Sequence, residues 1–165
     1  MQHYNLSKIN VLILENNTLI RRLMNGVFNE FGVRKGRSTD NPGKAYELFA
    51  ATDAYIIISD WAPELDGISF IERVRRDPNS PNPYVPIIVC SGNTKRRQVL
   101  AARDAGMSEY LAKTVSPKSI YSRICSVVKN ERSFISNDNY FGPDRRRRVL
   151  ATGKERRKFH HPLSG

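Results

Sequence analysis

Apolar runs recur along residues 8–129 and alternate with segments whose apolar positions are spaced three and four apart. The first run, 9–14 (INVLIL), is apolar at nearly every position, as expected of a strand covered on both faces. Asn17 or Thr18 can cap the next helix, whose apolar positions Ile20, Leu23, Met24, Val27, Phe28 and Phe31 fall on one face, and Gly32 supplies the stop. Residues 33–38 read as a more polar strand suited to a sheet edge, followed by a helix over 42–51 that buries Ala45, Leu48 and Phe49. A third strand covers 55–59, and the loop WAPELDG leads into a helix over 68–76. The next stretch, DPNSPNPYVP, holds four prolines and cannot continue that helix. Beyond it the pattern predicts a strand over 87–90, a helix over 95–105 closed by Gly106, a strand over 109–112 and a helix over 117–129 carrying Ile120, Ile124, Val127 and Val128.

Five alternations of strand and helix imply right-handed crossovers and a doubly wound α/β fold: a five-stranded parallel sheet, order 2-1-3-4-5, with helices on both faces. The carboxyl ends of all strands in such a sheet share one edge, so residues distant in sequence meet in one crevice there. Here the strand ends are Glu15 after VLIL, Asp60 after YIIIS, Ser91 after PIIVC and Lys113 after EYLA. Two carboxylates, a hydroxyl and an ammonium group are thus expected at one edge.

A chain of 165 residues with 39% hydrophobic content fits one domain, 1–130, with an appended tail, 131–165, and leaves no room for a second full domain. Cys90 and Cys125 lack metal-ligand spacing and read as small buried hydrophobes in a reducing compartment. No apolar run approaches the roughly 20 residues that span a bilayer, and MQHYNLSKIN lacks a signal peptide's apolar stretch, so the expected location is cytoplasmic. The net charge of +11 is densest in the tail, where nine Lys/Arg face four Asp/Glu. Such a bias favours acidic partners, nucleic acid or anionic membrane, and bears on association more than on fold.

The stretch IIISDWAPELDGISFIERVRR, followed by PIIVCSG and DAGMSEYLAK at matching places, resembles the receiver domains of two-component response regulators, the CheY type. The resemblance covers about residues 8–129 and implies a flavodoxin-like fold; the strand order given above is also that family's own. It implies that Asp60 takes a phosphoryl group from a kinase phosphohistidine, with Lys113 and Mg²⁺ supplying positive charge around the phosphoryl oxygens. By the same resemblance Glu15, Asn16, Asp60 and the backbone carbonyl of Ala62 hold the metal, and Ser91 hydrogen-bonds the phosphoryl group. Tyr110 matches the aromatic that turns inward as that hydroxyl moves. Trp61, directly after Asp60, offers a fluorescence reporter.

Two positions depart from the family pattern. Most receivers carry two consecutive acids where this chain reads Glu15-Asn16; the lost charge is expected to weaken Mg²⁺ binding, or to leave the domain partly in its active-like state. Lys113 is followed by Thr114, where the family usually has proline after a cis bond. A cis bond without proline costs about 2.5–4 kcal/mol, so the sequence predicts a trans bond with a shifted loop, or local strain.

Beyond residue 130 the chain reads NERSFISNDN, YFGPDRRRR, KERRK and HHPLSG, with little to form a core, and the expectation is a basic, flexible tail. Arg145, Arg146, Arg147 and Arg148 present planar donors for phosphate or carboxylate, while His160 and His161, without partner ligands nearby, read as solvated. No helix-turn-helix pattern fits there, which speaks against a DNA-binding output module. The leading functional expectation is a stand-alone phosphoacceptor receiver without an output domain, acting by phosphorylation-dependent protein contact or as a phosphate relay or sink. It is not expected to be an enzyme, since it catalyses only its own phosphotransfer and dephosphorylation. Its partners would be a sensor histidine kinase or a histidine phosphotransfer protein and an unidentified downstream protein, with the domain as monomer or homodimer. The alternatives are a degenerate receiver acting as a phosphorylation-independent interaction module, and a tail-driven binder of nucleic acid or membrane surface.

Overall fold

The structure, a computed structural model, describes residues 5–33, 35–62, 65–129 and 132–145. After a short 3-10 turn at Leu6–Lys8 the elements run β1 (Asn10–Leu14), α1 (Thr18–Glu30), β2 (Lys35–Thr39), α2 (Pro42–Ala51), β3 (Ile56–Asp60) and α3 (Gly67–Arg76). They continue with β4 (Ile87–Ser91), α4 (Arg96–Ala105), β5 (Glu109–Ala112), α5 (Pro117–Lys129), β6 (Phe134–Asn137) and β7 (Tyr140–Pro143). The first five strands form one parallel sheet in the order β2-β1-β3-β4-β5, the order the alternation predicts.

The alternation of side chains along each strand divides the core into two layers. Val11 and Ile13 of β1 pack with Met24 and Phe28 of α1 and Ile120 and Ile124 of α5. Leu12 and Leu14 point the other way, toward Phe49 of α2, Phe70 and Ile71 of α3 and Ala102 of α4. Strands β3 and β4 are buried at every position, which explains their unbroken apolar runs, whereas polar β2 lies at the sheet edge. Among the described residues no helix is long and apolar enough to cross a membrane.

Local chemistry sets the element boundaries. The Asn17 side chain accepts from the Leu19 and Ile20 amides at 2.9 and 3.1 Å, satisfying donors that the first turn of α1 leaves free. Gly32 turns the chain after that helix at φ 81°, a conformation that costs a side-chain-bearing residue far more. One expectation for this helix is corrected: Leu23 is 47% exposed, because the buried face narrows to Met24, Val27 and Phe28 with Ile20 and Phe31 at its margin.

The larger correction concerns the segment after α5. Residues 134–143, expected to be flexible, form the antiparallel hairpin β6–β7, which packs on α3 and α4. Asn137 Oδ1 closes its two-residue turn by accepting from the amides of Asn139 and Tyr140 at 3.0 and 2.8 Å. Phe134 and Phe141 form an aromatic cluster with Tyr84 of the proline-rich loop, ring centres 5.2 to 5.9 Å apart. Under this cluster lies Arg75 of α3, 2% exposed, donating to the carbonyls of Gly106, Pro83 and Val85 at 3.0, 2.8 and 2.7 Å. Its guanidinium lies 5.2 Å from the Phe134 ring centre, and burial pushes its pKa down to about 9, which leaves it cationic at neutral pH. Arg146, Arg147, Arg148, the 154–158 cluster, His160 and His161 lie outside the described residues.

Candidate functional site

Parallel pairing of β1 with β3 sets Leu14 beside Ser59, so the residues that follow, Glu15 and Asp60, emerge side by side at the carboxyl edge. On the other side of β3, Asp60 pairs with Cys90, and Ser91 pairs with Ala112, which delivers Lys113 to the same place. Glu15, Asp60 and Ser91 are 1%, 4% and 0% exposed. The Lys113 ammonium bridges the two acids, 2.8 Å from Glu15 Oε2 and 3.0 Å from Asp60 Oδ1. The four strand-end residues singled out in the sequence therefore share one buried crevice.

The charges here respond to burial and pairing in different proportions. Burial raises the Glu15 carboxyl above its ordinary value, and the opposing pairing with Lys113 and hydrogen bond from the Asn17 amide do not offset it. Burial would lower Lys113, but its pairing with Glu15 and its hydrogen bond to Asp60 outweigh it and hold the ammonium above its ordinary value. The asymmetry has a simple cause: Lys113 has two carboxylates, whereas Glu15 shares one ammonium with Asp60, whose like charge also opposes its ionisation. Glu15 Oε1 accepts from the Asn17 amide at 2.8 Å, while Oε2 has no well-directed hydrogen bond despite its closeness to Lys113.

Ser91 Oγ donates to the Trp61 carbonyl at 3.1 Å and accepts from the Asn93 amide at 3.1 Å. The Tyr110 hydroxyl donates to the Asn93 carbonyl, so Asn93 joins the two residues that the family resemblance marks as moving together. Sequence reasoning missed Asn93 because its backbone, not its side chain, makes both links. It also missed Gly67: a Cβ there would stand 2.5 Å from the Asp60 carbonyl oxygen, so a side chain would press on the strand end that carries Asp60. The signal was present in the Asp66-Gly67 pair, where Asp66 takes a left-handed conformation, φ 42°, and caps α3 by accepting from the Ser69 amide at 3.3 Å.

The donor set suits a hard divalent cation at reduced charge. Two buried carboxylates converge, one with a poorly satisfied oxygen, but among the described residues no three His, Cys, Asp or Glu side chains gather to share a metal ion. Asn16 is exposed beside them, and the half-buried Ala62 carbonyl accepts from the Leu65 amide at 3.0 Å, which leaves one lone pair free. Of the two alternatives expected after Lys113, the trans bond with a shifted loop is not the one adopted: the Lys113–Thr114 peptide is cis. Trp61 is half-buried next to Asp60. Arg145 does not join this crevice; it lies against α4, 3.4 Å from Asp104 Oδ1.

A family model described as the response regulator receiver domain matches residues 11–125, a span that ends before the β6–β7 hairpin. The chemotaxis protein CheY1 of Helicobacter pylori is 25% identical over 116 residues, covering 69% of this chain and 92% of its own. In fold the chain is similar to CheY4 of Vibrio cholerae, with a TM-score of 0.65 and 18% identity over 72% of this chain and 98% of that one. It is also similar to the receiver domain of the Arabidopsis thaliana histidine kinase CKI1, solved in complex with Mg²⁺ and BeF₃⁻, with a TM-score of 0.63 and 22% identity over 73% and 91% of the two chains. The sheet order, the crevice at its carboxyl edge and the match over residues 11–125 agree, and the chain belongs to the response regulator receiver domain family of two-component signalling.

Proposed function

We propose that Asp60 accepts a phosphoryl group from a histidine kinase or histidine phosphotransfer protein, and that the domain signals by protein contacts that depend on this modification. The observation that carries the reading is the Lys113 ammonium held within 3.0 Å of Asp60 at the buried strand edge, with the Ser91 hydroxyl nearby. In the transfer an Asp60 carboxylate oxygen bonds to phosphorus as the bond to the imidazole nitrogen breaks. Attack of one anion on another is helped mainly by fixed positive charge, which Lys113 supplies without reorganising. Ser91 then exchanges the Trp61 carbonyl for a phosphoryl oxygen as its acceptor. When bound, Mg²⁺ would add charge against those oxygens, held by Glu15, Asn16, Asp60 and the Ala62 carbonyl. Such a domain catalyses only its own phosphorylation and dephosphorylation, and its expected place is the cytoplasm.

A second reading has an observation in its favour. Lys113 pairs with both carboxylates, and Asn16 contributes no charge, so the unmodified crevice holds a single net negative charge and needs a cation less than the common receiver pattern does, which suits a constitutive interaction module. Mass spectrometry after incubation with Mg²⁺ and acetyl phosphate separates the two readings. One phosphoryl adduct in the parent protein, absent from Asp60→Asn, is the result expected of a working phosphoacceptor. No adduct even at high Mg²⁺ would leave the constitutive module as the function.

A further inference from the structure

Helix α4 has the switch at one end and the hairpin at the other. Its amino end continues from the β4–α4 loop, where Asn93 holds Ser91 through its amide and Tyr110 through its carbonyl. Its carboxyl end carries Asp104, 3.4 Å from Arg145 just after β7, and Gly106, whose carbonyl is taken by buried Arg75. The hairpin presses directly on that end: a Cβ on Gly106 would meet the Phe141 carbonyl at 2.7 Å, and one on Gly142 would lie 3.0 Å from Gly106 Cα. These two backbones therefore touch with no side chain between them to absorb a shift. The helix between the two ends is ten residues, about 15 Å of rigid rod. Packed interfaces of this kind respond to displacement by changing arrangement and not by continuous deformation.

We propose that the β6–β7 hairpin is a read-out element of this domain, coupled through α4 to Ser91, so that modification of Asp60 changes how firmly the hairpin is held against α3 and α4. The inference rests on the phosphoacceptor reading above. In the unmodified state Ser91 Oγ accepts from Asn93 and donates to the Trp61 carbonyl. Turning that hydroxyl toward a phosphoryl oxygen gives up the Trp61 bond and shifts the loop on which α4 begins. The basic run that starts at Arg145 follows the hairpin directly in sequence, so a change in docking alters how those arginines are presented.

Hydrogen exchange read by mass spectrometry on the full chain, with Mg²⁺ and beryllofluoride as the phosphoryl mimic, tests the coupling, with Asp60→Asn as control. The expected result is that exchange changes about fivefold or more both in the loop at 91–95 and in the hairpin at 134–143, in the parent only. A response confined to the loop would overturn the coupling and leave the phosphoacceptor reading standing. No response at either place would overturn both. Reciprocity supplies a second measurement: loosening the hairpin with Gly142→Val must change beryllofluoride affinity by the factor seen in the other direction. Where Gly142→Val does not fold, Phe141→Ala thins the aromatic contact without crowding Gly106. Affinity unchanged by a hairpin that has measurably loosened would also overturn the proposal.

Discussion

At Asn16 and Glu15 a single charge separates this crevice from the common receiver pattern. Asn16→Asp restores that charge at an exposed position next to the buried acids, and Mg²⁺ affinity read from Trp61 fluorescence is expected to rise about tenfold, or roughly 1.4 kcal/mol. An unchanged titration would remove Asn16 from the metal site. Glu15 makes a separate prediction about pH. Its carboxyl is raised above 4.5 in the folded state, so the folded protein binds that proton more tightly than the unfolded chain does. The resulting stability is fully present below pH 4.5 and is lost as pH rises through the raised value. Urea midpoints measured against pH should therefore show the parent losing stability relative to Glu15→Gln across that window, and parallel profiles would contradict the assignment. Glu15, Asp60, Ser91 and Lys113 were legible in the sequence because each ends an apolar strand run, and a parallel sheet allows strand ends only one meeting place. Asn93 and the Ser91–Trp61 contact were not legible, since they depend on backbone groups whose positions only the folded loop defines.

At the scale of elements, periodicity gave the right kind and order of strand and helix over residues 9–129 because burial on one or two faces imposes the pattern directly. It failed where burial is local. In β6–β7 the apolar residues are few, and Phe134 and Phe141 are covered by Tyr84 and Arg75 from loops and helices far away in sequence, which no window over 130–145 contains. The turn itself was signalled by Asn137 two residues ahead of Asn139. Arg75 is the element-level anchor, holding α3, the proline-rich loop and the α4–β5 turn through three carbonyls. Arg75→Ala strands those acceptors and should lower the unfolding free energy by about 3 kcal/mol, measured by urea denaturation. A loss below roughly 1 kcal/mol would show that water reaches the carbonyls once the side chain is gone.

Considered whole, the molecule sets the Asp60 crevice and the β6–β7 hairpin, with Arg145 just after it, at opposite edges of the sheet. Asp60 lies at the carboxyl edge of the sheet, while the hairpin covers Arg75 beside the residues that precede β4 and β5, at the other edge. Polyanion contact by the basic run is thus coupled to phosphorylation chemistry only through the hairpin. Binding to a heparin or DNA probe is expected to fall steeply with added salt, and replacing Arg146, Arg147 and Arg148 by Gln should reduce the slope of log affinity against log salt by about 2 to 3. A slope unchanged by the triple replacement would assign the charge contact to another surface.

The position of Phe134 and Phe141 over Arg75 also bears on where this chain can be divided. The family match ends at residue 125, and a fragment cut there, or just after α5, would contain the complete crevice around Asp60. It would also open a nearly fully enclosed guanidinium and the ring of Tyr84 to water. Sticky, poorly behaved preparations of such a fragment would reflect the cut and not the receiver; a boundary placed after residue 145 keeps the cover in place.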